Sequence, residues 1–328
     1  MSDSFAKAGV KVRRLTLSDI LRENIIWVVL IFTILILSIA SPVFLTPSNA
    51  LNILRTVSIL GIVAIGMTFP MIGGSFDLTV GATMGLATVI AIQSQPTDFW
   101  SALVAIFAAL VAGLIVGIIN GIFMGWFETN SVVTTIGMMY VVWGVTLIYT
   151  QARHVWATDM FLPLAELGTG HIGPIPVPII AFVFAALLGT FALNSTRFGR
   201  YLYATGGNTE GARLSGIEVW RVRLIAFICS GLAAALAGIV IAARVKNVDP
   251  SFGVGFEFEA LTAVILGGTS LFGGRGSVSG TVAGVLILGV LANAMTLLGI
   301  SIHFQLMIKG VILVLAVAAD VLVRRRRG

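Results

Sequence analysis

The sequence predicts an all-α, polytopic membrane protein with about ten transmembrane helices. Three observations predict it: the apolar composition, apolar runs that recur at bilayer length, and the glycine content. Of 328 residues, 58% are hydrophobic and 10% are charged, whereas about a quarter are charged in soluble domains. The runs are each about 20 residues long, as a hydrocarbon core of about 30 Å requires. The 37 glycines suit helices that pack closely in lipid.

Ten apolar segments are expected to be the spans. The eighth is short and follows Glu257 and Glu259, so it is expected to be a half-span or a re-entrant element. The segments cover approximately residues 25–41, 56–73, 78–95, 99–124, 131–150, 175–194, 222–243, 258–272, 277–299 and 302–322.

Two glycine series recur at four-residue spacing, which places each series on one face of a helix. Such stripes predict close helix packing rather than a ligand site. The series are Gly113, Gly117, Gly121 and Gly125, and then Gly276, Gly280 and Gly284.

The distribution of basic residues predicts the orientation, because cytoplasmic loops of membrane proteins are enriched in Lys and Arg. Ten spans place both termini on one side. Four basic residues fall on the opposite side, namely Arg55, Arg153, Arg244 and Lys246. Fifteen fall on the side of the termini, namely Lys7, Lys11, Arg13, Arg14, Arg22, Arg197, Arg200, Arg213, Arg221, Arg223, Arg275 and Arg324 to Arg327.

That bias predicts three regions: a cytoplasmic N-terminal segment over 1–24, a transmembrane domain over 25–323 and a basic cytoplasmic tail over 324–328. The leading residues are not expected to form a cleavable signal peptide, because they are polar and no small-residue cleavage site closes a short apolar core. The tail is interpreted as an anchor at an anionic leaflet, and no nucleic-acid partner is expected.

The cytoplasmic loop 195–221 contains a capped helical segment. Gly206 and Gly207 are expected to form a flexible entry, and Asn208 is a good helix N-cap. Glu210 suits the first turn, and Gly216 ends the helix. A short amphipathic helix at the cytoplasmic face is therefore predicted. It is longer and better capped than a simple connector requires, which favours partner docking.

No catalytic, metal or nucleotide site is expected in the chain. The single cysteine, Cys229, excludes an internal disulfide. His154, His171 and His303 are scattered and show no metal-ligand spacing. The glycine-rich stretch 267–277 lacks the lysine followed by Ser or Thr that a phosphate-binding loop needs.

Three strings resemble permeases of ribose-type sugar ABC importers. The string TRFGRYLYATGGNTEGARLSGI at 196–217 is similar to the cytoplasmic coupling loop of that family. The strings GGTSLFGGRGS at 267–277 and GSFDLTVG at 74–81 resemble its other signatures. The resemblance extends in the same order from about residue 56 to Asp320.

The resemblance implies an importer that moves a monosaccharide or related polyol by alternating access in a bacterial cytoplasmic membrane. Two permease subunits, identical or paralogous, would form the pathway. A cytoplasmic ATP-binding subunit would bind ATP and Mg, and an extracytoplasmic solute-binding protein would deliver the solute. The implied coupling positions are Gly206, Gly207, Asn208, Glu210, Ala212, Arg213, Leu214, Ser215 and Gly216.

Other polar positions allow two interpretations each. Gly273, Gly274 and Arg275 suit a tight cytoplasmic turn or a second contact with the ATPase. Asp77 suits an N-cap of the third span, and Lys309 a buried ion pair or a carbonyl-bonded lysine.

The polar residues within the spans suit interhelical hydrogen bonds or the solute path. The full set of candidates for the path is Phe76, Asp77, Asn120, Thr134, Thr135, Asn293 and Lys309.

The alternative hypothesis is a self-sufficient secondary transporter or channel for a small polar solute. It predicts paired intramembrane carboxylates or an inverted repeat, and neither is clear in the sequence.

Overall fold

The computed structural model describes residues 25–157, 162–245 and 247–325, and this part of the chain is almost entirely helical. The helices are α1 (Ile25–Ala40), α2 (Pro47–Ile72), α3 (Val80–Gln93), α4 (Phe99–Gly125), α5 (Ser131–Thr150), α6 (Leu162–Thr169), α7 (Val177–Ser195), α8 (Arg197–Gly207), α9 (Thr209–Leu214), α10 (Val219–Arg244), α11 (Phe256–Leu266), α12 (Val278–Leu297) and α13 (Ile302–Arg325).

Four two-residue strands lie in the connections. β1 (Val155–Trp156) pairs antiparallel with β4 (Asn247–Val248), and β2 (His171–Ile172) pairs with β3 (Ile175–Pro176). The connection between α5 and α7 therefore contains one short helix, α6, and three of these strands.

Each of the ten predicted segments coincides with a helix. Within the described residues, seven helices are long and apolar enough to cross a membrane: α2, α4, α5, α7, α10, α12 and α13. The apolar helices α1 and α3 are shorter. The eighth segment was expected over 258–272, but α11 ends at Leu266 and a turn follows. With 11 residues, α11 is about 16 Å long, which is about half the thickness of a hydrocarbon core.

The second predicted span began too late, because α2 starts at Pro47 and not at residue 56. Its first turns contain Asn49, Asn52 and Arg55, which lower the local hydropathy. The start signal is nevertheless in the sequence: Thr46 is the N-cap, its hydroxyl accepts from the Asn49 N–H, and Pro47 occupies the first turn.

α10 is the central helix and packs against α2, α3 and α4. Glycines allow its close approach to α4. A Cβ on Gly113 would lie 2.4 Å from the Gly231 carbonyl oxygen, and one on Gly117 would lie 2.7 Å from the Phe227 carbonyl oxygen. The predicted packing role of the first glycine series is confirmed.

The second glycine series is only partly helical. Gly280 and Gly284 face α11, where an added Cβ would lie 2.1 Å and 2.0 Å from the carbonyl oxygens of Gly267 and Ala263. Gly276 precedes α12 and has a φ of 154°. It was wrongly placed on the helix face, because the helix begins only after the N-cap Ser277.

The connections gather at two ends of the bundle. One end, here called the arginine-rich end, consists of the connections 73–79, 126–130, 196–218 and 267–277. These contact one another: the Gly274 N–H donates to the Ile72 carbonyl, and Arg213 pairs with Glu128. The β-bridges lie at the opposite end, where Arg55 Nη2 lies 2.8 Å from His171 Nε2.

Candidate functional site

The most distinctive surface of the arginine-rich end is built from α8 and α9. α8 begins where the Thr196 hydroxyl accepts the Gly199 N–H at 3.2 Å. Its apolar face is anchored on the bundle, since Leu202 is fully buried and the Phe198 ring stacks on Phe69 at 6.1 Å. α8 is therefore an amphipathic helix lying on the bundle end.

Gly206 and Gly207 are the last two residues of α8, so the expected flexible entry is wrong. The reason is close backbone packing. A Cβ on Gly206 would lie 1.8 Å from the Ile72 carbonyl oxygen and 2.6 Å from the Gly274 nitrogen. Glycine serves here to let three backbones meet and not to loosen the chain.

The predicted caps of the short helix α9 are present. The Asn208 side chain accepts the Gly211 N–H at 2.9 Å, which makes it the N-cap. Gly216 follows the helix with a φ of 81°, a left-handed conformation that favours glycine. Ala212 is buried beneath the helix, whereas Leu214 is 81% exposed.

Arg213 holds α9 against the neighbouring connection. Its guanidinium lies 3.1 Å from Glu210 Oε2 and 2.6 Å from Glu128 Oε1. All three side chains are about half exposed, and exposed pairs contribute little stability. They fix the orientation of α9 instead. No sequence pattern indicates Glu128, because the connection after α4 contacts the loop 195–221 only in the folded chain.

Arg223 forms a second contact between segments at the arginine-rich end. It lies in the second turn of α10, and its Nη1 donates to the Met124 carbonyl at 3.2 Å. That carbonyl belongs to the C-terminal turn of α4, which favours a cation. Arg221 lies over the Trp220 ring at 5.2 Å. The α10 start is therefore fixed by cationic contacts.

The segment 267–277 forms the predicted tight turn. Gly273 and Gly274 both have positive φ, at 80° and 73°. The turn is tied to α2 by the Gly274–Ile72 bond of 2.8 Å and to α8 by the Tyr203 hydroxyl, which donates to the Gly276 carbonyl at 2.7 Å. Arg275 is exposed beside it, so its contact with a partner stays a prediction.

Asp77 is not the N-cap of α3. The helix begins at Val80 with Thr79 as its N-cap, and Asp77 lies two residues earlier, where its Oδ1 accepts the N–H and the hydroxyl of Thr79. The segment Asp77-Leu78-Thr79 therefore forms a local Asx-type turn before the helix. Asp77 is 1% exposed.

Hydrogen bonds to other segments of the chain explain three of the other polar candidates, namely Asn120, Thr135 and Asn293. The Asn120 amide donates to Thr79 Oγ1 at 2.9 Å. Thr135 Oγ1 accepts the Leu78 N–H at 3.2 Å.

Asn293 and Asn49 exchange bonds of 3.0 Å and 2.8 Å between α12 and α2. Thr134 differs, because its hydroxyl donates to the Thr129 hydroxyl in the connection just before α5. Beside Asp77, the Phe76 N–H donates to the Ser131 hydroxyl at 3.1 Å.

Lys309 has the ion-pair partner that was expected, since its Nζ lies 2.7 Å from Glu259 Oε1. The pair joins α13 to the half-length helix α11. It faces a cavity of about 510 Å³ between α2, α11, α12 and α13. The lining is mostly apolar, with Thr56 and Thr262 as its hydroxyl residues and Phe258 as an exposed ring. Lys309 is therefore a candidate for the solute path that lines a cavity.

The described ranges contain no group of three His, Cys, Asp or Glu side chains that could hold a metal ion. The residues before Ile25, Lys246 and the end of the basic tail lie outside those ranges, so the basic residues counted there are not described.

Comparison with known proteins indicates the family. The family described as "Branched-chain amino acid transport system / permease component" matches residues 49–317. The ribose import permease protein RbsC of Bacillus subtilis (strain 168) is 40% identical over 291 residues, which cover 89% of this chain and 90% of that protein. The L-arabinose transport system permease protein AraH of Escherichia coli (strain K12) is 37% identical, with 88% of each chain covered. No solved structure was found to match.

Proposed function

The chain belongs to the branched-chain amino acid transport system / permease component family, and we propose that it is the membrane-spanning permease subunit of an ATP-driven monosaccharide importer. The solute class rests on the relatives, since the ribose and L-arabinose permeases match along most of the chain. A related polyol has the same chemistry and is included. ATP hydrolysis is assigned to a separate subunit that binds ATP and Mg.

The α8–α9 surface is the observation that carries this proposal. It presents an exposed Leu214 beside a fixed charged group, Arg213 with Glu210 and Glu128. Its base is rigid, because Gly206 contacts both the end of α2 and the 267–277 turn. A protruding apolar side chain on a rigid base suits insertion into a groove of a partner. We assign that partner as the cytoplasmic ATP-binding subunit.

Orientation follows from charge. Within the described ranges, Arg197, Arg200, Arg213, Arg221 and Arg275 lie at or next to one end, and basic residues mark the cytoplasmic side. We therefore place this end in the cytoplasm of a bacterial cell, with the chain in its inner membrane. The proposal includes ten crossings or partial crossings, both termini inside, a second permease copy or paralogue, and a solute-binding protein at the opposite end.

We place the solute path at the cavity that contains Lys309 and Glu259. A volume of about 510 Å³ lies in the range of small-molecule sites. The paired charges neutralise one another, which suits an uncharged solute with many hydroxyls. The buried candidates Asp77, Asn120 and Thr135 are instead assigned to helix packing in this conformation.

Reconstitution tests the proposal. The chain, co-expressed with its ATP-binding subunit and supplied with its binding protein, is expected to take up radiolabelled ribose or arabinose only when ATP is present. Leu214→Asp is expected to abolish co-purification of the ATPase. The matched control is Ile172→Asp, which changes an equally apolar residue, 65% exposed, at the opposite end.

Two results would contradict the proposal. One is uptake that is indifferent to ATP and abolished by a protonophore, which is the behaviour of a secondary transporter. The other is an ATPase that co-purifies equally with the wild type and with Leu214→Asp.

A further inference from the structure

The helix α13 contains one acidic residue, Asp320, in the apolar run near its C-terminal end. A carboxylate is costly among apolar side chains unless it is paired or hydrogen-bonded. Asp320 is half-buried, and its Oδ2 accepts the backbone N–H of Leu271 at 3.0 Å. The acid is therefore satisfied by a backbone donor in the 267–277 turn, 49 residues earlier in the chain.

The 267–277 turn needs contacts with other elements to hold one shape, because it is rich in glycine. Three of its glycines have φ values between 73° and 86°, and glycine loses more conformational entropy on ordering than any other residue. The Ile72 carbonyl connects the turn to α2, and the Tyr203 hydroxyl connects it to α8. Asp320 adds the connection to α13.

Lys309 gives α13 a second contact with the same part of the chain. Its Nζ lies 2.7 Å from Glu259 Oε1 on α11, and α11 leads directly into the 267–277 turn. Lys309 and Asp320 are about 16 Å apart along α13, from the rise of an α-helix. Two contacts at that separation restrict both sliding and tilting of α13 against α11 and the turn.

The turn lies between the two functional regions of the proposed importer. It contacts α8, which belongs to the α8–α9 surface assigned to the ATP-binding subunit. Through Asp320 it also contacts α13, which lines the cavity assigned to the solute together with α11. A contiguous set of hydrogen bonds and packed helices therefore joins the two regions.

We propose that Asp320 is a positioning residue for coupling: its carboxylate holds the 267–277 turn against α13, so that movement of the α8–α9 surface reaches α13 and the cavity. This inference rests on the proposed function. Asp320 touches neither the solute nor the nucleotide and acts through the Leu271 N–H. Without that hydrogen bond, the turn and α13 move separately, and ATP is hydrolysed without matching transport.

The test compares Asp320→Ala with Asp320→Asn in the full complex, reconstituted in liposomes with the ATP-binding subunit and the binding protein. The readout is the number of solute molecules taken up per ATP hydrolysed. Asp320→Ala removes the acceptor and is expected to lower this ratio about fivefold. Asp320→Asn keeps an acceptor oxygen and is expected to retain the wild-type ratio.

The matched control is Gln305→Ala. Gln305 is a polar residue at the other end of α13, and its amide donates to the nearby Ile300 carbonyl at 3.0 Å. The variant therefore perturbs α13 without removing its contact with the turn, and it is expected to keep the wild-type ratio.

Hydrogen exchange measures the turn independently of transport. In lipid nanodiscs, the amides of the 267–277 turn are expected to exchange about tenfold faster in Asp320→Ala than in the wild type, because one hydrogen bond is lost. Gln305→Ala is expected to leave this rate unchanged. Should Asp320→Ala fail to fold, Leu271→Pro removes the donor N–H and leaves the carboxylate in place, and the same two changes are expected.

A wild-type uptake ratio in Asp320→Ala would overturn the inference and leave the proposed function intact, whether or not exchange is faster, because Asp320 would then have only a structural role. Equal losses in Asp320→Ala and Asp320→Asn would also overturn it, since the charge and not the hydrogen bond would then be required. A wild-type chain that shows no ATP-driven uptake would contradict the proposed function itself, and the coupling role with it.

Discussion

Gly206 and Gly207 are neighbours in sequence, but their surroundings differ. A Cβ on Gly206 would overlap the Ile72 carbonyl, whereas one on Gly207 has nothing within 4 Å. We therefore expect Gly206→Ala to destabilise the chain by about 1–3 kcal/mol through overpacking, and Gly207→Ala to be neutral or slightly stabilising. Thermal unfolding of the two purified variants checks this. Equal Tm values would show that the backbones at this end do not pack closely.

The Lys309–Glu259 pair allows a double-mutant cycle. Lys309→Met alone leaves a carboxylate in an apolar cavity, and Glu259→Gln alone leaves an ammonium group there. Each side chain is about 30% exposed, so solvent reduces the penalty to about 1–2 kcal/mol. The double variant removes both charges and is expected to be more stable than either single variant. Strictly additive Tm losses would show that the charges do not interact.

At this scale the sequence predicted those features that local chemistry determines. Asn208 caps α9 and Gly216 ends it because both effects act within a few residues. The partner of Lys309 lies 50 residues away, and hydropathy carries no information about such a pairing. Gly206 was misread for the same reason, since its close neighbours belong to distant segments.

Among the helices, α9 is the one whose order we expect to affect coupling to the ATPase. It has six residues, too few to be stable alone, so its N-cap matters. We expect Asn208→Ala to cost about 1 kcal/mol and to reduce stimulation of the partner ATPase by solute-loaded binding protein. Asn208→Ser keeps a capping oxygen and is expected to retain stimulation. If both variants behave like the wild type, the order of α9 does not limit coupling.

Helix bounds were predicted well where apolar runs are uniform, as in α4 and α5. They were predicted poorly where polar residues lie inside a helix, as at the start of α2, or where a helix stops within the membrane, as α11 does after Leu266. In the latter case Gly267 and Gly268 follow the helix, and as small apolar residues they do not interrupt the apolar run from which the segment was predicted. The helix nevertheless ends there, because Gly268 adopts a left-handed φ of 86° and Gly267 packs closely against Gly280.

For the whole molecule, the two ends differ in charge while the bundle between them is apolar. α5, α7 and α13 expose large apolar side chains around most of their circumference, as lipid-facing or subunit-facing helices do. The sequence does not distinguish lipid-facing from subunit-facing side chains, because both surfaces are apolar. It does predict the orientation of the chain, because orientation depends on the position of charged residues.

Cysteine labelling tests that orientation. In a Cys229→Ser background, Thr97→Cys lies before α4 and Ser195→Cys lies at the end of α7, and both positions are exposed. Three long apolar helices, α4, α5 and α7, separate them, and an odd number of crossings places them on opposite sides. Because the arginine-rich end favours the cytoplasm, a membrane-impermeant maleimide should label Thr97→Cys in intact spheroplasts and Ser195→Cys only in inverted vesicles. The reverse pattern would contradict the orientation, and labelling of both from one side would contradict the crossing of all three helices.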